Sequence, residues 1–174
     1  MGTLFASVYD RFLGKITDDM YMELTPMDTI RDLQNLLIDA IPGFEFPRKQ
    51  LAYKVLIQEE GEGFKVVSVE GTSFIDASYF YAELDDEEIN ILAILMMGSW
   101  LQRQVTTIEN VRMKYSGSDF KMTSQANHLS KLLNLLKESQ RESLHMQRLY
   151  KRRKLDTASG EYRSNWSIFG STNK

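Results

Sequence analysis

The sequence feature that most constrains the fold is a helical pattern of about thirty residues, from Ser124 to Arg153, in the last third of the chain. Apolar residues recur along it at spacings of three and four, which places them on one face of an α-helix. The stripe is dense at Leu129, Leu132, Leu133 and Leu136 and sparser at Leu144, Met146, Leu149 and Tyr150. Such a helix is a rod of about 45 Å. The thinning stripe predicts that its second half leaves the core and projects.

Two helices are predicted in the N-terminal quarter of the chain. Apolar residues at positions 4, 5, 8, 9, 12 and 13 form a stripe with helical spacing, which Gly14 ends. The second helix begins at Thr25, a residue type that caps helix N-termini, with Pro26 at the first helical position. The pair Pro42-Gly43 ends this second helix.

The most apolar stretch of the chain predicts a central helix. Asp85 is a natural N-cap, and Glu88 three residues later can bond back to it. Apolar side chains from Ile89 to Leu101 cover nearly every side of the helix, and a helix that is apolar all round is normally buried. We expect this helix to end near Arg103 or a little beyond, and a separate short helical stretch from Thr106 to Tyr115.

Two β-favouring runs ahead of the central helix predict a β-hairpin at about residues 51–70. They are LAYKVLIQEE and GFKVVSVEG, separated by a turn at residues 60–63. A two-stranded hairpin is only marginally stable alone, so we expect it to pack on the helices or to pair with a neighbouring subunit. The aromatic-rich segment from Phe74 to Ala82 that follows has no clear period.

These patterns together predict a mainly α protein, a helical bundle with an inserted β-hairpin, a long C-terminal helix and an extended C-terminal arm. The helical domain covers residues 1–154, and a docking arm covers residues 155–174. The arm has no helical or strand period, yet it places Tyr162, Trp166, Ile168 and Phe169 within eight residues. Segments without structure are usually poor in large apolar groups. These four residues therefore predict that the arm binds a partner.

A basic cluster, Lys151 to Lys154, marks the junction between the long helix and the arm. Three interpretations remain open. The first is a solvated helix C-terminus, where cations interact favourably with the helix dipole. The second is contact with nucleic acid, in which the cluster neutralises phosphates and Tyr150, Tyr162 and Trp166 stack on bases. The third is an acidic partner protein, for which the arm supplies buried aromatic anchors.

Charge is divided unevenly along the chain. Residues 1–100 carry 7 Lys and Arg against 18 Asp and Glu, whereas residues 101–174 carry 14 against 6. The net charges are thus −11 and +8, within a total of −3. One explanation is that helix faces are solvated by whichever charge is at hand. The other is head-to-tail self-association, in which the acidic part of one subunit meets the basic part of the next.

The residues of common catalytic and metal sites are missing or poorly spaced. The chain has no cysteine, and His128 and His145 lie seventeen residues apart on one predicted helix without ligand spacing. The acidic run from Asp85 to Glu88 is explained by helix capping. The apolar run from Ile91 to Leu101 is well short of the ~20 residues that cross a bilayer. We therefore predict a protein that is not an enzyme, with no cofactor, no metal and no membrane partner.

Six segments carry a resemblance to a known protein family. They are YDRFLGKITDDMY, IDAIPGFEFPR, LDDEEINILAILMMGSWLQRQV, ENVRMKYSGSDFKMTSQANHLSKLL, LYKRRK and YRSNWSIFG. The chain resembles the head-tail connector or neck proteins of tailed bacteriophages, also called head-completion adaptors. The resemblance extends from about Tyr9 to Gly170 and is weakest over residues 50–83. Because these strings are not chemical signatures, their specificity lies in their length and order.

The resemblance implies a structural virion protein that forms a ring, most often of twelve copies, beneath the portal protein. The ring continues the channel through which genomic DNA passes without sequence-specific binding, and the tail or a second neck-ring protein binds it. The subunit is assembled in the host cytoplasm and is located in the neck of the virion. In such adaptors the end of the long helix and the C-terminal arm grip the portal. For the portal or an adjacent subunit, the partner-binding residues implied here are Leu144, Leu149, Tyr150, Lys151, Arg152, Arg153, Lys154, Tyr162, Trp166, Ile168 and Phe169.

The alternative function is that of a small helical nucleic-acid-binding regulatory protein. It would use Arg141, Arg148 and the cluster Lys151 to Lys154 on phosphates. Tight, salt-sensitive binding to free DNA favours this alternative, whereas a connector is expected to show little of it. If the chain forms a channel, acidic residues are expected to line it. The candidates are Asp18, Asp19, Glu59, Glu60 and Glu62.

Overall fold

Four α-helices dominate the described residues of the structure, which is a computed structural model. The structure describes residues 2–16, 21, 24–56, 59–60, 63–64, 67–69, 72–74, 76–114, 122–155 and 162–164. The helices are α1 (Phe5–Leu13), α2 (Pro26–Ala40), α3 (Asp86–Lys114) and α4 (Met122–Arg152), and a 3₁₀ turn (Ile41–Gly43) follows α2. The strands are β1 (Thr3–Leu4), β2 (Tyr53–Lys54), β3 (Glu59–Glu60), β4 (Gly63–Phe64), β5 (Val67–Val69), β6 (Thr72–Phe74), β7 (Tyr79–Phe80), β8 (Arg153–Leu155) and β9 (Tyr162–Ser164). The predicted fold class, a mainly helical bundle with a β-hairpin, is confirmed.

Helix α3 is the central element, as its sequence predicts. It packs against α1, α2 and α4, and the side chains that are fully buried in it lie on all sides. They include Ile91, Leu92, Ala93, Ile94 and Met96. A helix surrounded by partners needs an apolar surface all round, since burying apolar area is the main favourable term in folding.

The predicted end of the central helix near Arg103 is wrong, as is the separate helical stretch from Thr106. Helix α3 runs without a break from Asp86 to Lys114. Its lower half keeps a buried side, with Leu101 and Val105 packed in a second apolar cluster against α4. The hydroxyl of Thr106 donates to the carbonyl of Gln102 at 2.9 Å, so this β-branched residue is accommodated within the helix.

The two N-terminal helices begin and end close to the predicted residues. Helix α1 ends at Leu13, with Gly14 at its C-cap, and β1 precedes it where the sequence predicts helix. Thr25 caps α2, because its hydroxyl oxygen accepts a hydrogen bond from the backbone N–H of Asp28 at 3.2 Å. The same hydroxyl donates to the Asp28 carboxylate at 2.6 Å, and Pro26 occupies the first turn.

Removal of the Thr25 cap should destabilise the protein. We expect Thr25→Ala to lower the free energy of unfolding by about 1 kcal/mol, because the N–H of Asp28 loses its acceptor. Thr106→Ala is the matched control, since that hydroxyl bonds only within a continuous helix and should change stability by less than about 0.5 kcal/mol. Urea denaturation followed by circular dichroism measures both. Equal losses in the two variants would contradict the capping role.

A small antiparallel sheet covers one end of the bundle. Its strand order is β1-β7-β2, with Thr3 and Tyr53 on either side of Phe80. The ring of Phe5 lies 4.7 Å from that of Phe80 and 5.6 Å from that of Tyr53. The segment from Phe74 to Ala82, whose pattern is not periodic, thus supplies the central strand of the sheet.

Buried polar side chains connect this sheet to the helices. The hydroxyl of Tyr9 donates to the carboxylate of Asp76 at 3.0 Å, and the backbone N–H of Ser78 donates to the same carboxylate at 2.8 Å. Gln34 donates to the Ser78 hydroxyl at 3.0 Å. Burial, and then the charge of Asp76, raises the pKa of Tyr9. The buried Asp76 carboxylate is therefore occupied by structural hydrogen bonds.

The predicted hairpin turn at residues 60–63 is present, since β3 and β4 pair with Glu60 opposite Gly63. A second ladder joins β5 to β6. The first predicted strand divides, however, because Tyr53–Lys54 pairs with β7 instead of with the other side of the hairpin. Of the five acidic channel candidates, Glu59 and Glu60 form β3. Asp18, Asp19 and Glu62 lie outside the described residues.

Helix α4 stays packed along its second half, so the prediction that this half projects from the core is wrong. Buried positions continue at spacings of three and four to the last turn of the helix. They are Leu129, Leu132, Leu136, Ser139, Ser143, Gln147 and Tyr150. The apolar stripe thins because three of these buried positions carry polar side chains, and not because the helix leaves its neighbours.

Candidate docking surface at the end of the long helix

The last turn of α4 is held against the start of α3 by the loop that follows the 3₁₀ turn. The side chain of Tyr150 is fully buried there. The ring of Phe44 packs on its edge with 5.5 Å between centroids, and the guanidinium of Arg48 lies 4.0 Å from its ring centroid. An apolar ring and a cation thus contact the same aromatic side chain.

Tyr150 also reaches a buried carboxylate. Its hydroxyl donates to Glu88 and accepts a hydrogen bond from the backbone N–H of Arg48 at 3.0 Å. Burial, and then the hydrogen bond to Glu88, raises the pKa of Tyr150. The phenol is therefore the donor of this pair and Glu88 is the charged acceptor.

Glu88 is the predicted capping residue of α3, and it does more than cap. Its carboxylate accepts from the backbone N–H of Asp85 at 2.9 Å, which confirms the predicted capping box. The ammonium of Lys49 lies 3.5 Å from Glu88 and 2.7 Å from Asp85. Burial lowers the pKa of Lys49, but the hydrogen bond to Asp85 and the charge of Glu88 outweigh it, so the net shift is upward. The buried carboxylate is thus compensated by a cation and two donors.

The carbonyl groups at the end of α4 are satisfied by the same loop. The guanidinium of Arg48 donates to the carbonyl oxygens of Tyr150 and Arg153. One turn earlier, the side chain of Gln147 donates to the carbonyl of Gly43 at 3.1 Å and accepts from the N–H of Glu45 at 2.9 Å. Helix C-termini leave such carbonyls without intrahelical partners, so these contacts fix where α4 ends.

The predicted basic cluster is partly occupied within the chain. The ammonium of Lys151 lies 3.8 Å from the ring centroid of Phe46, and Arg153 forms an ion pair with Glu87 at 3.2 Å. Arg152 is exposed. Lys154 belongs to β8, and its side chain is outside the described part. The cluster therefore helps to fix the end of the helix as well as charging its surface.

Tyr150 needs correction as a predicted partner contact. Its side chain is enclosed by Phe44, Arg48 and Glu88, so it is a core residue of the subunit and presents no surface to a partner. Leu144 is 44% exposed and Leu149 is half-buried, and both remain predicted contacts.

The predicted arm begins in a ladder that returns the chain to the end of α4. Strand β9 pairs with β8 so that Tyr162 lies opposite Leu155 and Ser164 lies opposite Arg153. Trp166, Ile168 and Phe169 lie outside the described residues. Their role as anchors therefore remains a prediction.

Sequence reasoning missed the loop residues Phe44, Arg48 and Lys49 as parts of this region. No local pattern marks them, because their partners are about a hundred residues away in the chain. A signal was available for Gln147, since it continues the three-and-four spacing of the leucines as a polar residue. Polar side chains at buried helix positions indicate hydrogen-bonded partners on a neighbouring element.

The outward side of α4 carries a row of cations, which we call the basic face and define as Lys137, Arg141, Arg148 and Arg152. All four are exposed and recur at helical spacing, opposite the buried positions. Leu144 lies within the same row. An exposed leucine among cations is typical of a surface that binds an acidic partner with an apolar contact at its centre.

Other kinds of site have no counterpart in the described part of the chain. Among those residues, no three His, Asp or Glu side chains are grouped to hold a metal ion. None of the helices searched there has the length and hydropathy of a membrane span. No protein-family model, no curated protein and no solved structure matches the chain.

Proposed function

We propose that the chain is a structural subunit of the neck of a tailed bacteriophage. Copies form a ring, with twelve as the expected number, that joins the portal to the tail and continues the DNA channel. Two kinds of support carry the proposal, the resemblance of the six segments and the basic face of α4. The single structural observation that supports it most is that face, with Leu144 exposed among its cations.

The basic face supports head-to-tail assembly because the chain also carries an acidic part. Residues 1–100 have a net charge of −11, so one copy offers a surface of opposite charge to the basic face of the next. A contact between two different surfaces of identical subunits closes into a ring when its rotation allows. Complementary charges steer such contacts and fix their register.

The fixed end of α4 supports a binding role for the same face. Arg48 bonds the last carbonyls of the helix, and Gln147 ties the preceding turn to the loop. The cations of the basic face therefore project from a rigid element. A surface that is already ordered loses less conformational entropy on binding than a mobile one.

Nucleic-acid binding is the second candidate, because cations in a row also neutralise phosphates. The two functions differ in how affinity responds to salt and in which ligand is bound. Binding to a protein ring depends on shape and apolar contact as well as charge. Binding to free DNA through these cations falls steeply as salt concentration rises.

Charge reversal on the basic face should abolish assembly. We expect Arg141→Glu combined with Arg148→Glu to weaken association with the phage's own portal rings by at least about ten-fold, since two attractive contacts become repulsive. Lys131→Glu, on the flank of the same helix, is the matched control and should change association by less than about two-fold. Light scattering of portal and subunit mixtures measures the bound number of subunits.

Three outcomes separate the candidates. A portal complex that requires the basic face supports the neck function, and an image of the virion neck with this chain traced would then give the ring size. Normal assembly of the doubly reversed variant would contradict the head-to-tail role of the face. Tight and salt-sensitive binding of the unmodified subunit to free DNA, without a portal complex, favours the nucleic-acid function.

A further inference from the structure

A groove lies where α4 crosses α3 beside the 3₁₀ turn. Two depressions, of about 290 and 580 Å³, form it and share Leu95, Gly98 and Gln140 as lining residues. Helix α4 contributes Ser139 and Ser143 to the first of them. Small residues on both helices leave the junction between them open, and the lining of the groove is mainly apolar.

The floor of the groove contains a polar group without a partner. Ser139 is only 2% exposed, and its hydroxyl is the one buried side-chain polar atom without a hydrogen bond in the described part of the chain. The neighbouring Ser143 hydroxyl accepts from Gln147 at 3.1 Å. A Cβ atom added to Gly98 would lie 3.8 Å from the Ser139 oxygen, so this hydroxyl faces the open junction. Buried hydroxyls normally have partners, which indicates a missing one here.

The path of the chain brings its own C-terminal segment to this groove. The β8–β9 ladder places Ser164 opposite Arg153, the first residue after α4. Ser143 and Ser139 precede Arg153 by ten and fourteen residues, or about 15 and 21 Å along the helix. Phe169 follows Ser164 by five residues, which span up to about 17 Å when extended. Phe169 can therefore reach the floor of the groove.

The chemistry of the segment matches that of the groove. Residues 165–174 contain Trp166, Ile168 and Phe169 and only one charged side chain, Lys174. The smaller depression has one charged lining residue, Glu45, and is otherwise apolar or neutral. An extended backbone offers N–H and carbonyl groups at each residue, either of which can pair with the Ser139 hydroxyl.

We propose that the groove between α3 and α4 holds the chain's own C-terminal segment, residues 165–174, in the free subunit. Phe169 occupies the floor beside Ser139, and Trp166 packs near Leu144 at the rim. This inference goes beyond the neck function and does not depend on it. A partner that binds the same aromatic side chains has to displace the segment from its groove first.

Engineered cysteines test this placement without background, because the chain has none. The test pair is Leu144→Cys with Ser167→Cys in the full chain. The matched control is His145→Cys with Ser167→Cys, since His145 lies one residue further along but does not line the groove. Under mild oxidation of dilute protein, we expect the test pair to close an intramolecular disulfide about ten-fold faster than the control pair.

Two further changes in the test pair probe the contacts. Phe169→Ala should slow closure to the control rate, because the main apolar anchor is lost. Ser139→Ala should slow it by about three-fold to ten-fold, since one hydrogen bond is lost. Circular dichroism verifies that each variant remains folded.

The remaining outcomes overturn the proposal. Equal closure rates in the test and control pairs would show that the segment has no preference for the groove. Disulfide-linked dimers in place of closed monomers would assign the groove to the segment of a second copy. Failure to bind a portal ring would leave the closure rates unaffected, so the neck function and the groove are tested separately.

Discussion

Changing Tyr150 to Ala should lower the free energy of unfolding by about 3–5 kcal/mol, the range for removing a fully buried aromatic side chain. The loss has two sources. The space between Phe44 and Arg48 is left empty, and the buried carboxylate of Glu88 loses a hydrogen-bond donor. Equilibrium denaturation, followed by circular dichroism and by tryptophan fluorescence, measures the change.

Tyr150→Phe separates the ring from the hydroxyl. The ring contacts with Phe44 and Arg48 remain, so only the hydrogen bonds are lost, and we expect a decrease of about 1–2 kcal/mol. His145→Ala is the surface control on the same helix and should stay within about 0.5 kcal/mol. Unchanged stability in Tyr150→Ala, with loss of a partner complex, would restore this residue as a partner contact.

Glu88→Ala should have the second largest effect, a decrease of about 2–4 kcal/mol. The carboxylate is fully buried and pairs with a lysine that is only partly exposed, and removing one member of such a pair leaves its partners uncompensated. The N–H of Asp85 and the hydroxyl of Tyr150 lose their acceptor at the same time. Because Lys49 retains Asp85, the expected loss lies below that of an isolated buried pair.

Two substitutions show whether this cost belongs to the buried position. Glu88→Gln keeps one acceptor oxygen and should cost less than Glu88→Ala, about 1–2 kcal/mol. Glu87→Ala removes the neighbouring acid, whose partner Arg153 is about half exposed, and should cost at most about 1 kcal/mol. Equal costs at the two positions would mean that Glu88 acts only as one more charge at the helix N-terminus.

Local signals predicted the helices well. The cap at Thr25, the stop at Gly14 and the capping box of Asp85 and Glu88 are all present in the structure. Each depends on residues within four positions of one another, so sequence spacing is enough to identify it. The all-round apolar pattern of α3 likewise gave its central place.

Non-local pairing was less accessible. Strand β2 pairs with β7, so the first predicted strand of the hairpin has its partner more than twenty residues further along. The strands are two residues long, which is too short for an alternating pattern to identify. Only the assembled sheet places Tyr53 and Thr3 beside Phe80.

The candidate site shows the same division. Exposed cations on α4 could be predicted from spacing, and so could the position of the basic cluster at the end of the helix. The burial of Tyr150 could not, because tyrosine is equally common in cores and at interfaces, and its burial depends on Phe44 and Arg48. The buried serines and Gln147 interrupted the apolar stripe and made a packed helix resemble a projecting one.

The contact between Arg48 and Tyr150 has a consequence for how the protein is made. The two residues are 102 positions apart. At synthesis rates of about 5–20 residues per second, the loop around Arg48 leaves the ribosome roughly 5–20 seconds before Tyr150 does. The start of α3 therefore carries the Glu88 carboxylate without its final donor throughout that interval. The last turn of the long helix completes the fold, so the subunit becomes fully stable only when translation is almost finished.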